Sequence, residues 1–227
     1  MTNYIMTHDL HKCMGCGACM LSCKIENNVT AGIKWLKFET RTVGKFPNVR
    51  YEFQLNQCNH CENAPCARNC PTKAMHKDFG GLTLHDPRRC VGCRACMVAC
   101  PYDAISFNRD QPHAQYRDDK PVVSGTSSGK ELTGRMLAPI PTHNPALDQG
   151  YVSIRKKGLV EKCTFCFHRL ARGQQPRCVE ACPAQARLLG DLDDPNDPVH
   201  ELIAKNGYMT RLEARITHPK VYYMNSY

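Results

Sequence analysis

The sequence predicts a loop-rich α+β protein built as two copies of a small strand–loop–helix unit, and three observations predict it. Sixteen cysteines fall into four short runs. The runs are of two kinds that alternate along the chain, which reads as an internal duplication of a two-run unit. The segments between them are short apolar stretches broken by 15 Gly and 15 Pro in 227 residues, a pattern of brief strands and turns.

Run one is Cys13, Cys16, Cys19 and Cys23; run three is Cys90, Cys93, Cys96 and Cys100. Both step by three, three and four positions, and their texts "CMGCGACMLSC" and "CVGCRACMVAC" are alike. Run two is Cys58, Cys61, Cys66 and Cys70; run four is Cys163, Cys166, Cys178 and Cys182. Each of these widens the gap before its third cysteine and sets a proline just ahead of it, Pro65 or Pro176. Three thiolates on a tight loop reach three corners of a compact cluster, with Gly15 and Gly92 letting the backbone wrap closely. The fourth cysteine follows, and Pro71, Pro101 or Pro183 then turns the chain away; run one ends in Lys24 instead. In two-cluster ferredoxins the fourth cysteine of such a run serves the partner cluster. Four runs with no cysteine left over therefore predict four [4Fe-4S] clusters, with all sixteen cysteines as iron ligands.

Disulfides suit short secreted chains. Structural zinc would use paired hooks, which run four resembles but runs one and three do not. The net charge of +9 invites a nucleic-acid reading. Four clusters at about −2 each cancel nearly all of it, so the excess cations read as counter-charge. Arg68, Arg88, Arg89, Arg94, Arg169, Arg172 and Arg177 lie close to the runs and fit that role. No nucleic-acid partner is expected.

The elements follow in order. Residues 49–55 alternate Val49, Tyr51, Phe53 and Leu55 against Arg50, Glu52 and Gln54, predicting a strand with one buried face that leads into run two. "GLTLHD", 81–86, predicts a strand before run three, and "AISFN", 104–108, one after it. This setting is the ferredoxin pattern, so the two units are ferredoxin-like di-cluster modules. Residues 109–150 are rich in Pro, Gly, Ser and Asp without a period and predict an insertion loop that docks a partner. "YVSIRKK" leads into run four, and "ARLLGDL" follows it. "DPVHELIAKNG" predicts a helix with Asp197 as N-cap, Pro198 at its first position and Gly207 as its stop. "KVYYMN" predicts a closing strand. The domain reading is an outer module, 1–53 with 151–196, holding runs one and four. An inner module, 54–108, holds runs two and three; 109–150 is the insertion, and 197–227 carries the last helix and strand. Trp35 is expected to pack. His60 is expected to donate a hydrogen bond or to lie at the surface, not to bind metal. No catalytic residue is expected in this chain.

The chain resembles the four-cluster iron–sulfur subunits of molybdopterin oxidoreductases of the dimethyl sulfoxide reductase family. The resemblance rests on all sixteen cysteines, on "PTKAMHKDFGGLTL" and on "GDLDDP". The insertion and its flanks, "PHAQYRDD" through "EKCTFCFHRL", look most like the small subunit of respiratory arsenate reductase. The resemblance implies which cysteines meet; the duplication alone leaves that open. One cluster takes Cys13, Cys16, Cys19 and Cys182; a second takes Cys163, Cys166, Cys178 and Cys23. A third takes Cys58, Cys61, Cys66 and Cys100; the fourth takes Cys90, Cys93, Cys96 and Cys70. It also implies a heterodimer with a large molybdopterin catalytic subunit and an external electron donor, a quinol-linked cytochrome or membrane anchor.

The same module serving a tetrathionate, polysulfide, thiosulfate or sulfoxide reductase, or an arsenite-oxidising enzyme, is the alternative; a zinc-organised binding protein is the remote one. No stretch approaches the roughly 18 apolar residues of a membrane span. The N-terminus has no signal-peptide pattern. The family's habit implies export to the periplasm beside a partner bearing a twin-arginine signal; a cytoplasmic location is the alternative.

Overall fold

The computed structural model describes residues 2–111, 118–121, 123–137, 156–211 and 216–225. Residues 112–117, 122 and 138–150 of the insertion and the stretch "YVSIR" lie outside them. What is described is mixed helix and strand with much loop, in short elements.

Three strands form the largest sheet: β1 (Tyr4–Asp9) in the centre, β8 (Arg187–Asp191) antiparallel on one side and β9 (Val221–Met224) parallel on the other. Their registers run Tyr4 to Asp191 and Met6 to Val221. Ile5, Met6, Val221, Tyr223 and Met224 are buried here. The sheet therefore clamps the beginning of the chain to the segment after run four and to the chain's end. β1 leads into run one and β8 leads out of run four, so their pairing sets those two runs side by side. The helix α1 (Ala18–Glu26), which carries Cys19 and Cys23, packs on α6 (Arg177–Glu180), which carries Cys178.

Runs two and three are joined by another device. The hairpin β4 (Met75–Asp78) and β5 (Leu82–His85) folds the short link back on itself. The one-turn helices α2 (Pro65–Arg68) and α3 (Ala95–Ala99) then meet. Leu82 and Leu84 are fully buried beneath them. A third pairing ties the two halves together: β6 (Ile105–Phe107), after run three, is antiparallel to β7 (Val160–Lys162), before run four.

β2 (Lys37–Lys45) and β3 (Asn48–Asn56) form a hairpin of two nine-residue strands. Its outer half departs from the expected single buried face. Leu55 is buried, but Val49 and Tyr51 are 46% and 67% exposed, and Glu52, from the other set of the alternation, is buried and bound to Arg41 at 2.8 Å. The tip projects past the body, so alternation there has no core to face.

The insertion also holds more order than its composition suggests. The helix α4 (Gly129–Arg135) is capped by Ser128, whose hydroxyl accepts from the Glu131 amide at 3.1 Å. The text S-x-x-E is a capping-box signature that a search for apolar periodicity passes over. The last helix, α7 (Pro198–Asn206), starts and stops where expected: Asp197 caps it, Pro198 opens it and Gly207 ends it. α5 (Phe167–Leu170) is a single turn inside run four.

Candidate metal centres

No two of the sixteen cysteines are joined in a disulfide. Ten are buried, and only Cys16 and Cys93, the second cysteines of runs one and three, are exposed. The loops that hold them are backbone devices. Gly15 and Gly92 turn at φ 69° and 70° in equivalent places. Each run then starts its helix from a left-handed residue, Gly17 before α1 and Arg94 before α3.

The thiols gather into neighbourhoods, shown by which charges act on which. Cys13 feels Cys182 and Cys16, and Cys19 feels Cys13 and Cys182. Cys23 feels Cys163, Cys178 and Cys166. Cys66 feels Cys58, Cys100 and Cys61. Cys96 feels Cys90, Cys70 and Cys93. Two further couplings join the first three groups in sequence, and the packing of α2 on α3 sets the fourth beside the third. Cys19 feels Cys178, and Cys163 feels Cys58.

Burial first, then neighbouring sulfur, drives these thiols upward. Cys61 and Cys96 rise to about 11, Cys66 and Cys166 to about 12. A ligand thiol must be deprotonated. Buried nests of mutually repelling sulfur therefore need a positive body in their midst. Among the described residues no three His, Cys, Asp or Glu crowd closely enough to share one metal ion. Cys13, Cys16, Cys19 and Cys182 instead line one small cavity. Soft thiolate sets of this kind select zinc, copper(I) or iron–sulfur clusters, and this spread arrangement fits the last.

Backbone amides supply the hydrogen bonds. Met75 N–H donates to Cys70 Sγ at 3.4 Å, Phe165 N–H to Cys163 at 3.5 Å and Ala186 N–H to Cys182 at 3.3 Å. Burial would raise Cys70, but its bonds from Met75, Thr72 and Ala74 outweigh burial and hold it below the ordinary thiol value. Asn27 Nδ2 stands 3.7 Å from both Cys23 and Cys166, joining a run-one thiol to a run-four thiol.

Four of the seven arginines near the runs have named partners. Arg88 binds Asp86; Arg169 binds Glu26 and Glu180; Arg177 binds Glu180; Arg94 lies over the Phe107 ring. These arginines have carboxylate or aromatic partners of their own, because they sit on the rims of the loops. The buried lysines and arginines among the described residues are Lys162, which directly precedes Cys163, Arg187 and Lys220. Lys162 Nζ donates to the carbonyls of Thr83 and Cys163. Lys162 and Arg187 each stand at an end of a short strand adjoining run four, β7 or β8, and that placement was the available signal.

Trp35 packs as expected and donates to the buried Glu161 at 3.2 Å. His60 is fully buried, not superficial. Its Nδ1 accepts from Thr83 N–H at 3.2 Å, so Nε2 carries the proton donated to the Cys163 carbonyl at 3.0 Å. The ring lies 4.1 Å from that of Phe165. His60 thus braces the loop of run four against run two.

Comparison with known proteins agrees with this geometry. The family description "4Fe-4S dicluster domain" matches residues 49–118 with 149–192, and a second model of the same description matches 12–74. The chain is 48% identical to the arsenate respiratory reductase iron-sulfur subunit of Shewanella sp. strain ANA-3, over 98% of this chain and 96% of that protein. It is 34% identical to a selenate reductase subunit of Mesobacillus selenatarsenatis, over 97% and 71%. It is also 34% identical to the menaquinone reductase iron-sulfur cluster-binding subunit of Nitratidesulfovibrio vulgaris, over 97% and 88%. Two dicluster domains and sixteen grouped cysteines fit four [4Fe-4S] clusters.

Proposed function

The chain belongs to the 4Fe-4S dicluster family of iron–sulfur electron-transfer subunits, and from that premise we propose that it serves a respiratory arsenate reductase. The 48% identity across almost the whole of both chains carries the choice of arsenate.

The ligand sets proposed are the four thiol neighbourhoods. Cys13, Cys16, Cys19 and Cys182 hold one cluster, and Cys163, Cys166, Cys178 and Cys23 the next. Cys58, Cys61, Cys66 and Cys100 hold the third, and Cys90, Cys93, Cys96 and Cys70 the last. When bound, such clusters accept and pass single electrons at potentials set by hydrogen bonds, charge and exposure. The chain's own residues do the tuning. The amides of Met75, Phe165 and Ala186 stabilise charge on sulfur, and the buried side chains keep water from the middle of the row. The exposed Cys16 and Cys93 put the two ends of the row nearest solvent, where electrons can enter and leave.

The outer module, 1–53 with 151–196, and the inner module, 54–108, are taken as copies from one duplication. The similar texts of runs one and three support this, as does the shared exposure pattern of their first three cysteines. The partner is a large molybdopterin subunit, and the insertion 109–150 is proposed to dock it. The donor is quinol-linked, and the complex works in the periplasm after export beside a twin-arginine-signal partner.

Iron, zinc and acid-labile sulfide per chain, measured on anaerobic protein with its partner retained, test the core of this reading. About 16 irons with matching sulfide are expected. About four zincs without sulfide would overturn it. Cys182→Ala should strip one cluster and leave about 12 irons. Arsenate turnover by the purified complex tests the substrate; a complex that reduces selenate and not arsenate overturns that part alone.

A further inference from the structure

Arg187 opens β8, directly across from His8 of β1. It is 4% exposed. Its Nη2 donates to Gln57 Oε1 at 2.6 Å and touches Met6 Sδ at 2.5 Å. Its Nε and Nη1 have no hydrogen-bond partner, and among the described residues no carboxylate pairs with it. His8, beside it, is kept neutral, pushed down to about 3 by burial and then by the guanidinium. A buried cation without an anion is strongly unfavourable, and a guanidinium does not lose its proton to escape.

The missing anion has an obvious place. Arg187 lines the cavity that Cys13, Cys16, Cys19 and Cys182 surround. The thiols of Cys178, Cys19 and Cys163 are the groups that act on it most strongly after burial itself. Cys19 belongs to the first quartet, and Cys178 and Cys163 to the second. Gln57 and Met6 contact one corner of the guanidinium and leave Nε and Nη1 buried without a partner.

We propose that Arg187 is a positioning residue for electron transfer: a fixed internal counter-cation shared by the first two quartets, which raises the reduction potentials of the clusters held there. The inference rests on the reading that these quartets hold four-iron clusters. Reduction adds one negative charge, and a positive charge close by in a low-dielectric interior favours the reduced form. Because the guanidinium keeps its proton, the effect needs no proton uptake.

The test is a potentiometric titration, followed by electron paramagnetic resonance, of the full chain purified anaerobically with its co-purifying subunit. Three variants are compared: Arg187→Met, Arg187→Lys and Gln57→Glu. Gln57→Glu keeps the guanidinium but places a carboxylate against it. Arg187→Met should lower two of the four midpoint potentials and leave the other two in place. The expected change in the reduced-to-oxidised ratio at fixed potential is at least tenfold, about 59 mV for one electron. Gln57→Glu should lower the same two, and Arg187→Lys should return most of the shift. If Arg187→Met loses iron, Gln57→Glu decides. Four unmoved potentials in Gln57→Glu, or an equal shift of all four, would overturn the proposal. Wild-type protein without iron and sulfide would overturn the cluster reading beneath it, so the two failures are told apart.

Discussion

At Gly92 the backbone turns at φ 70°, and a Cβ built there would stand 2.1 Å from the carbonyl oxygen of Gly158. Backbone cannot yield as a side chain can, so the loop of run three would have to move. Gly17, at φ 78°, has nothing within 4 Å of its missing Cβ. Its counterpart in run three, Arg94, carries a side chain in the same left-handed region. Gly17→Ala should therefore cost about 1–2 kcal/mol from backbone conformation alone. Gly92→Ala adds the clash, and should strip the cluster proposed for Cys90, Cys93, Cys96 and Cys70. Iron per chain in anaerobic preparations separates them: near the wild-type count for Gly17→Ala, about four fewer for Gly92→Ala. Equal counts would show that the Gly158 contact relaxes without consequence. Gly92 was legible as a wrapping residue, but its Gly158 contact was not, because it comes from 66 positions away.

Elements divide between those set by local chemistry and those set by packing. Asp197 accepts from the Val199 amide at 2.9 Å and, through its second oxygen, from the Asp191 amide at 2.8 Å. It caps α7 and also holds the end of β8. Asp197→Ala should cost about 1–2 kcal/mol, toward the upper end of a cap loss because two amides lose their acceptor. Thermal unfolding monitored by circular dichroism measures it, and Asp197→Asn should recover part of the loss. A cap speaks from within four residues, so this helix was readable, as α4 would have been from Ser128 and Glu131. The hairpin β2–β3 was only half readable. Its strand β3 follows the alternation, but what its outer face meets depends on how far the hairpin reaches beyond the core.

Across the whole molecule, distant segments are tied by few contacts, and some of them are ionic. Arg211 grips Glu39 with two bonds, at 2.8 and 3.2 Å, and Asn56 adds a third at 3.0 Å. This links the segment before β9 to the base of the hairpin. The bond from Arg211, against the opposing effect of burial, holds Glu39 below the ordinary carboxylate value. A depressed folded value means the stabilisation is present above the unfolded value near 4.5 and fades as pH falls through the lower one. The pair is part-exposed, so about 0.2–1 kcal/mol is at stake. Arg211→Met should lower the unfolding temperature slightly at pH 7. The difference should shrink below about pH 4 and in high salt. An unchanging difference across pH and salt would assign the effect to packing of the arginine stem.

By itself the sequence determined the number of cysteine runs, their two kinds, the loops that present them, the α7 boundaries and the closing strand. Each of these depends on neighbours a few positions apart. Only the tertiary structure decided which runs meet, because that depends on β1 pairing with β8 and on α1 packing against α6, between residues more than 150 positions apart. Only it separated the arginines that answer to carboxylates on the loop rims from Arg187, which answers to sulfur. An arginine at the start of a five-residue strand looks like any solvated end until the sheet closes over it and leaves the charge inside.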